Sequence, residues 1–214
     1  TSPSQVIPVD PITGEERPGG SQGFPGYSVA NKVDKNRSNL GVYGDGELNL
    51  SDNLLVSGAM RFEHYSDFGN TTNFKGAFRY KIAEGLAVRG SISTGFRAPS
   101  LAQVYYNLRF TNFVGGTAEE VLLSPNNSPV TRGFGIQPLK QETAVNKSVG
   151  VTYNKGEFSA TIDGYFINVD NRIVLTDYFD ATQLNLNVVS AQFFVNGIDT
   201  KTKGVDLVVT WKKY

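Results

Sequence analysis

The sequence predicts an all-β fold of antiparallel, up-and-down strands that form part of a transmembrane β-barrel, and three observations predict it. From Leu40 onward, seven segments alternate apolar and polar residues with the period of two that a strand imposes on its side chains. Charged residues fall almost wholly on one face of those segments. Tight turns of about three residues alternate with much longer connections, as short periplasmic turns and long external loops do in outer-membrane barrels. Seven strands are too few to close such a barrel, where even counts from about 8 upward are the rule, so the chain is expected to be an internal piece of a longer one.

Composition supports this class and removes others. The 214 residues include 23 Gly and 12% aromatics with a single Met, which suits pleated faces and turns and excludes a helical bundle. Twenty Lys and Arg balance twenty Asp and Glu, so there is no basic footprint and no nucleic-acid partner is expected. The absence of Cys excludes disulfide frameworks and thiolate metal sites. No apolar run approaches the roughly 18 residues of a membrane helix, a length that barrel strands of about 9 to 11 residues do not need. No signal-peptide pattern opens the chain, so a leader is expected to have been removed or to lie further upstream.

Residues 1–36 carry Pro3, Pro8, Pro11, Pro18 and Pro25 among Gly, Ser and charged residues without periodicity, and are predicted to be loop. The remainder, 37–214, is predicted to be the partial barrel. Its first strand, 40–50, sets Leu40, Val42, Leu48 and Leu50 against Asp45, Glu47 and Asn49, and Ser51–Asn53 turns the chain. The second, 54–65, sets Leu54, Val56, Met60 and Phe62 against Ser57, Ala59, Arg61 and Glu63; a longer polar connection, 66–72, follows. The third, 73–82, opposes Phe74, Phe78, Tyr80 and Ile82 to Lys75, Arg79 and Lys81, with a turn at 83–85. The fourth, from Leu86, places Val88, Ile92 and Phe96 on one face and Arg89, Ser91, Ser93 and Arg97 on the other, and Pro99 ends it by lacking a ladder N–H. A long loop at about 101–141 leads to a fifth strand, 142–153, a turn at 154–156, and a sixth, 157–169. A second long excursion, about 170–200, contains a possible hairpin of Arg172–Thr176 with Val188–Val195; the last strand, 201–213, aligns Val205, Leu207, Val209 and Trp211 against Asp206 and Thr210. No helix is predicted.

Several segments resemble, in order, the barrels of TonB-dependent outer-membrane receptors. Met60–Gly69, MRFEHYSDFG, is similar to the family's strand running into a Tyr-Ser-x-Phe-Gly loop. Arg89–Leu101, RGSISTGFRAPSL, followed by Gln103-Val104-Tyr105, resembles its FRAPS-type strand end. Leu139-Lys-Gln-Glu-Thr resembles its Leu-x-Pro-Glu-Ser/Thr element, with Gln141 where Pro is common. Asp163–Ile173 and Lys203–Leu207 resemble the next strand and loop pair, and the likeness covers about residues 38–214. The resemblance implies a binding and transport protein of the Gram-negative outer membrane. An extracellular nutrient (iron chelate, haem, cobalamin or oligosaccharide) would bind on loops and a plug domain absent from this chain, and TonB, acting through the plug, would drive its passage into the periplasm. The barrel's other partner would be the outer-membrane lipid.

Under this reading Arg61, Glu63, Arg89, Arg97 and Asp163 face the lumen, pairing with one another or hydrating its wall. Tyr105, Tyr106, Arg109, Phe113, Arg132 and Phe134 fall in the longest external loop, where aromatic and Arg groups favour recognition; Phe110 lies with them. No catalytic residue, metal site or cofactor is predicted. The lone His64 lacks partners for catalysis or metal binding, Asp170, Asn171, Asp177 and Asp180 lack calcium-loop spacing, and Gly95–Pro99 lacks the glycine spacing of a phosphate cradle. An enzyme on a membrane barrel would need a His, Ser or Asp constellation at its rim, which one His does not supply. The alternative is a soluble β-sandwich for adhesion or carbohydrate binding, which would bury Phe74, Phe78, Tyr80, Val88 and Ile92 under a second sheet.

Overall fold

The computed structural model describes residues 20–21, 24–25, 31–114, 117–184 and 186–212. Most of the loop predicted over residues 1–36 lies outside these, but β1 (Gly20–Ser21) and β2 (Phe24–Pro25) pair antiparallel within it. In chain order there follow β3 (Asn39–Ser51), β4 (Leu54–Tyr65), β5 (Gly69–Ala83) and β6 (Leu86–Arg97). Next come α1 (Leu101–Tyr105), β7 (Leu108–Val114), β8 (Thr117–Leu123), α2 (Pro129–Gly133), β9 (Glu142–Lys155) and β10 (Phe158–Leu175). The chain ends with β11 (Phe179–Asp180), β12 (Ser190–Gln192) and β13 (Phe194–Trp211). These elements form two compact units.

The unit made of Arg37–Ala98, Lys140–Arg172 and Asn196–Tyr214 is a seven-stranded antiparallel sheet in the order β13-β10-β9-β6-β5-β4-β3. Each long strand lies beside the one before it, as an up-and-down barrel wall requires. Register follows the side chains, because a slip of one residue would turn every apolar group to the polar face. One row across five strands runs Val56, Phe78, Gly90, Val149 and Gly164; the adjacent row, on the other face, runs Ser57, Ala77, Ser91, Ser148 and Tyr165. The apolar face remains open: Val149 is 58% exposed, Val205 68% and Phe74 53%. A sandwich would have buried these groups, so their exposure argues against the alternative fold.

Several expectations change. The connection after Tyr65 shortens to Ser66–Phe68, since Asn70–Thr72 pair with Phe62–His64 as part of β5; two Thr, a good strand former, outweigh the turn-like Gly and Asn beside them. β10 continues to Leu175 and β13 starts at Phe194, so the second excursion is narrower than 170–200. The hairpin of 172–176 with 188–195 forms only in part, where the end of β10 meets the start of β13 at Phe194 and Val195; residues 190–192 do not join it. Instead β12 pairs parallel with β8 and antiparallel with β11, and Thr176 reaches Phe193 through one backbone bond of 2.9 Å.

The other unit combines Thr1–Asn36, Pro99–Leu139 and Ile173–Val195, including both long excursions. It has a four-stranded sheet, β11-β12-β8-β7, and its own core of Leu122, Ala181, Val188, Ala191 and Phe193, against which Val130, Phe134, Ile136, Leu184, Leu186 and Val195 pack. The rings of Phe134, Phe179 and Phe193 lie 5.0–5.7 Å apart, a spacing that suits edge-to-face and tilted contact. Two short helices interrupt a region predicted to have none. Ser100 and Gln103 close a reciprocal capping box on α1, and Ser128 with Pro129 opens α2.

Candidate functional site

Two surfaces carry chemistry: the polar face of the seven-stranded sheet and the packed unit formed by the excursions. The polar face brings Arg61, Glu63, Arg89, Arg97 and Asp163 onto one side. Arg89 donates to Asp163 through Nε at 3.0 Å and Nη2 at 2.5 Å, a two-pronged bond that matches the guanidinium fork to the carboxylate. The two residues come from β6 and β10 and meet above Gly150 of β9, their common register partner. A Cβ at Gly150 would run into the Asp163 carboxylate, so glycine is needed there for the pair to form.

Arg61 donates to Glu63 at 2.8 Å, and Tyr65 and Asn39 point donors at the same carboxylate oxygen. Arg97 grips Glu142 with two nitrogens. Glu63 and Glu142 are only 4% and 6% exposed, which makes these bonds necessary: a buried carboxylate without a partner is costly. Lys75 and Arg79 share the face, and Arg79 lies opposite Arg89 in the ladder. Together with Asp163, Tyr165 and Asp206 they line a shallow concavity of about 490 Å³. Its wall sets Lys75, Arg79 and the Arg89–Asp163 pair among Leu55, Ala77 and Phe78.

The Phe96–Ser100 segment, FRAPS, ends β6 and leads into α1. Phe96 meets Tyr65 edge-on at 5.8 Å, Tyr65 stacks on Phe68 at 4.5 Å, and Arg37, paired with Asp67, lies over Phe68. Arg97 holds Glu142, Pro99 is fully buried, and Ser100 caps α1.

In the packed unit, Tyr105 ends α1 beneath the Lys35 ammonium, 5.6 Å from its ring centre, and Tyr106 caps the helix. Arg109 and Phe113 lie on β7, the edge strand, both exposed, and Phe110 between them is half-buried. Arg132 and Phe134 are committed to the interior. Arg132 donates to the Ile136 carbonyl and, at 3.2 Å, to Asn126 Oδ1; Phe134 packs on Phe193. Asn126, 2% exposed, bonds the carbonyls of Gln137 and Phe194 and receives the Leu139 N–H, tying three segments together. Sequence reasoning passed over Asn126, which lay in an Asn-Asn-Ser run that looks like ordinary loop. It also passed over Tyr178, exposed beside Asn112 at 3.5 Å.

The other polar candidates do not converge. His64 Nδ1 bonds Asn70 Oδ1 at 2.7 Å, and Asp170 and Asp177 each accept one local bond. Asp180 accepts from the Thr182 hydroxyl and N–H at 2.6 and 2.9 Å, which hold its carboxyl below the usual range. A lowered pKa means that this small contribution is present above the unfolded value and lost as pH falls through the folded one. Among the described residues no group of three His, Asp or Glu is placed to hold a metal ion.

The family described as TonB dependent receptor-like, beta-barrel, matches residues 9–214. The chain is 27% identical over 140 residues to the vitamin B12 transporter BtuB of Vibrio vulnificus, covering 65% of this chain and 18% of that protein. It is 23% identical over 157 residues to the ferric enterobactin receptor PirA of Pseudomonas aeruginosa, covering 72% and 20%. Thus the chain spans about a fifth of the length of these curated relatives. The crystal structure of the siderophore receptor PirA from Pseudomonas aeruginosa superposes on 80% of this chain and 30% of its own, with a TM-score of 0.64 at 18% identity. The copper transporter OprC superposes with a TM-score of 0.55 at 15% identity, over 82% of this chain and 27% of its own; both share the fold. A one-sided meander of long strands, the ordered motifs along it and the match over nearly the whole sequence agree, and the chain belongs to the TonB-dependent receptor family, in its β-barrel part.

Proposed function

We propose that this chain is part of the barrel of an outer-membrane receptor that captures an extracellular nutrient and passes it into the periplasm with energy from TonB. The observation that carries this reading is the sheet itself, with an apolar face left open along its length, while the two long connections follow β6 and β10, strands that run in the same direction. In this reading the apolar face meets lipid and the polar face lines the lumen. Paired Arg and carboxylate groups brace that wall without closing it, and Lys75 and Arg79 favour the passage of anions. The excursions stand outside the membrane. Tyr105, Tyr106, Arg109 and Phe113 present aromatic and cationic contacts to the nutrient, while Arg132 and Phe134 shape the surface from behind.

The named relatives point to iron chelates and cobalamin as first candidates, beside haem and oligosaccharides. A plug domain outside this chain would close the lumen and carry the contact with TonB. Function in this reading is transport.

Uptake of labelled ferric siderophore and of labelled cobalamin, in cells with and without TonB, tests the proposal. Cells carrying the receptor should accumulate one such nutrient only when TonB is present. Replacing Arg109 and Phe113 together by Ala is expected to weaken cell-surface binding of it by about tenfold or more, the scale of a recognition residue, with receptor abundance unchanged. Uptake that ignores TonB, or a double variant that binds as well as the native receptor, would contradict the assignment.

A further inference from the structure

Four lysines stand on the apolar face of the sheet: Lys155, the ladder partner of Phe158, lies at the tight-turn end, and the other three are gathered toward the opposite end. Lys147 of β9 lies opposite Ile92 of β6 and Phe166 of β10 in the ladder. On β13, a Cβ at Gly204 would collide with the Tyr165 ring, so Gly204 shares the polar face with Tyr165. Lys201 and Lys203 therefore share the opposite face with Val205, Leu207, Val209 and Trp211. The same alignment, fixed also by the Lys212 N–H to Glu157 carbonyl bond of 2.9 Å, sets Lys203 beside Phe166. With strands about 4.8 Å apart and residues about 3.4 Å apart, Lys147 and Lys203 flank Phe166 at roughly 10 Å, and Lys201 sits roughly 7 Å further along.

All three are exposed and none makes an ion pair among the described residues. Asp170 and Asp199, further toward the loop end, are engaged in hydrogen bonds with Asn168 and the Asn171 N–H. The outward positions of β3 to β6 carry no lysine or arginine at all.

Their level in the wall is equally informative. At the tight-turn end the same face carries Tyr153, Phe158 and Trp211, with Tyr153 and Phe158 6.2 Å apart, a girdle suited to one membrane interface. From Phe158 to Phe166 is roughly 27 Å along the strand and, at a barrel tilt, roughly 20 Å along the membrane normal. The lysines thus lie at the opposite margin of the apolar band, where hydrocarbon gives way to headgroups. Charge on a lipid-facing surface is costly at mid-depth and tolerable at the margin, and a basic cluster there attracts anionic headgroups.

We infer that Lys147, Lys201 and Lys203 form a docking site for a phosphorylated lipid headgroup of the outer leaflet, its acyl chains lying over Val149, Ile162 and Val205. The inference rests on the outer-membrane reading proposed above. The receptor carrying this chain, its Lys147→Gln/Lys201→Gln/Lys203→Gln form and the corresponding triple Arg form are extracted from outer membranes. Each is placed in phosphatidylcholine nanodiscs containing a diphosphorylated disaccharide lipid or the same lipid dephosphorylated, and bound lipid is counted by native mass spectrometry. The native and Arg forms should retain the phosphorylated lipid more strongly than the Gln form, by roughly fivefold per lysine and on the order of a hundredfold in all. Equal retention of the two lipids by the native receptor, loss from the Arg form, or displacement by free inorganic phosphate would overturn the site. A native receptor that is absent from outer membranes and lacks heat-modifiable migration would instead remove the outer-membrane reading, and the lipid site with it.

Discussion

Gly85→Val is expected to prevent the β5–β6 hairpin from forming in its native register and to destabilise the barrel wall on the order of 3 kcal/mol or more. Gly85 has φ +76°, a left-handed conformation that a β-branched residue strongly resists. Space is also denied, because a Cβ there would sit on the carbonyl oxygen of Asn154, a backbone atom that no side-chain rotation can move. That closeness is structural, since the Asn154 N–H donates to the Gly85 carbonyl at 2.8 Å and locks the turn of one hairpin to the last residues of β9. Urea titration of the folded receptor in detergent micelles, read by its heat-modifiable migration, should show a large drop in midpoint or no folded band. Gly156→Val supplies the comparison: it has φ +57° but open space around its Cβ, so only the conformational part of the cost, about 1 to 2 kcal/mol, applies. Equal effects of the two substitutions would show that the contact with Asn154 is unimportant.

Phe193→Ala should collapse the packed unit formed by the excursions. Phe193 is fully buried and touches Phe134 and Phe179 at ring distances of 5.0 and 5.6 Å. Removing such a ring costs about 3 to 5 kcal/mol, which is large for a core of five fully buried apolar residues. Limited proteolysis should then cut within 99–139 and 173–195, while the seven-stranded sheet retains its folded migration; under the proposed function, nutrient binding should fall as well. A milder Phe193→Leu change should leave protection largely intact. Resistance of the Ala form to proteolysis would mean that this cluster does not hold the unit together.

Much of the sheet was legible because barrel strands announce themselves locally. Leu54, Val56, Met60 and Phe62 needed only their alternation with Ser57, Ala59 and Arg61 to be assigned, and pairing then followed from order along the chain. The ends were harder: Asn70–Thr72 resemble turn residues, and only their pairing with β4 shows otherwise. The packed unit was nearly illegible. Its elements are five to seven residues long at most, too short for either periodicity to develop. Its core also joins residues as distant as Leu122 and Phe193 through a parallel pairing of β8 with β12. One local signal was available, the Ser100-x-x-Gln103 capping box. For the candidate site, residue type pointed to Arg61, Glu63, Arg89, Arg97 and Asp163 as one polar face, and the ladder sets them on one side. It did not separate Arg109 and Phe113, which are exposed, from Arg132 and Phe134, which are engaged inside, because that depends on how the excursions fold on themselves.

If one face of this sheet meets lipid and the other lines a wet lumen, as proposed, β9 offers the most direct test. The chain has no Cys, so single Cys residues placed at Asn146, Ser148, Val149, Val151 and Thr152 in the membrane-embedded receptor carry nitroxide labels at defined points. Collision of each label with apolar oxygen and with a water-soluble nickel chelate is then measured by electron paramagnetic resonance. Labels at 149 and 151 should respond mainly to oxygen and those at 146, 148 and 152 to the chelate, switching with the parity of the strand. Labels at 149 and 151 shielded from both reagents would mean that the apolar face is covered by protein, and would contradict the proposal.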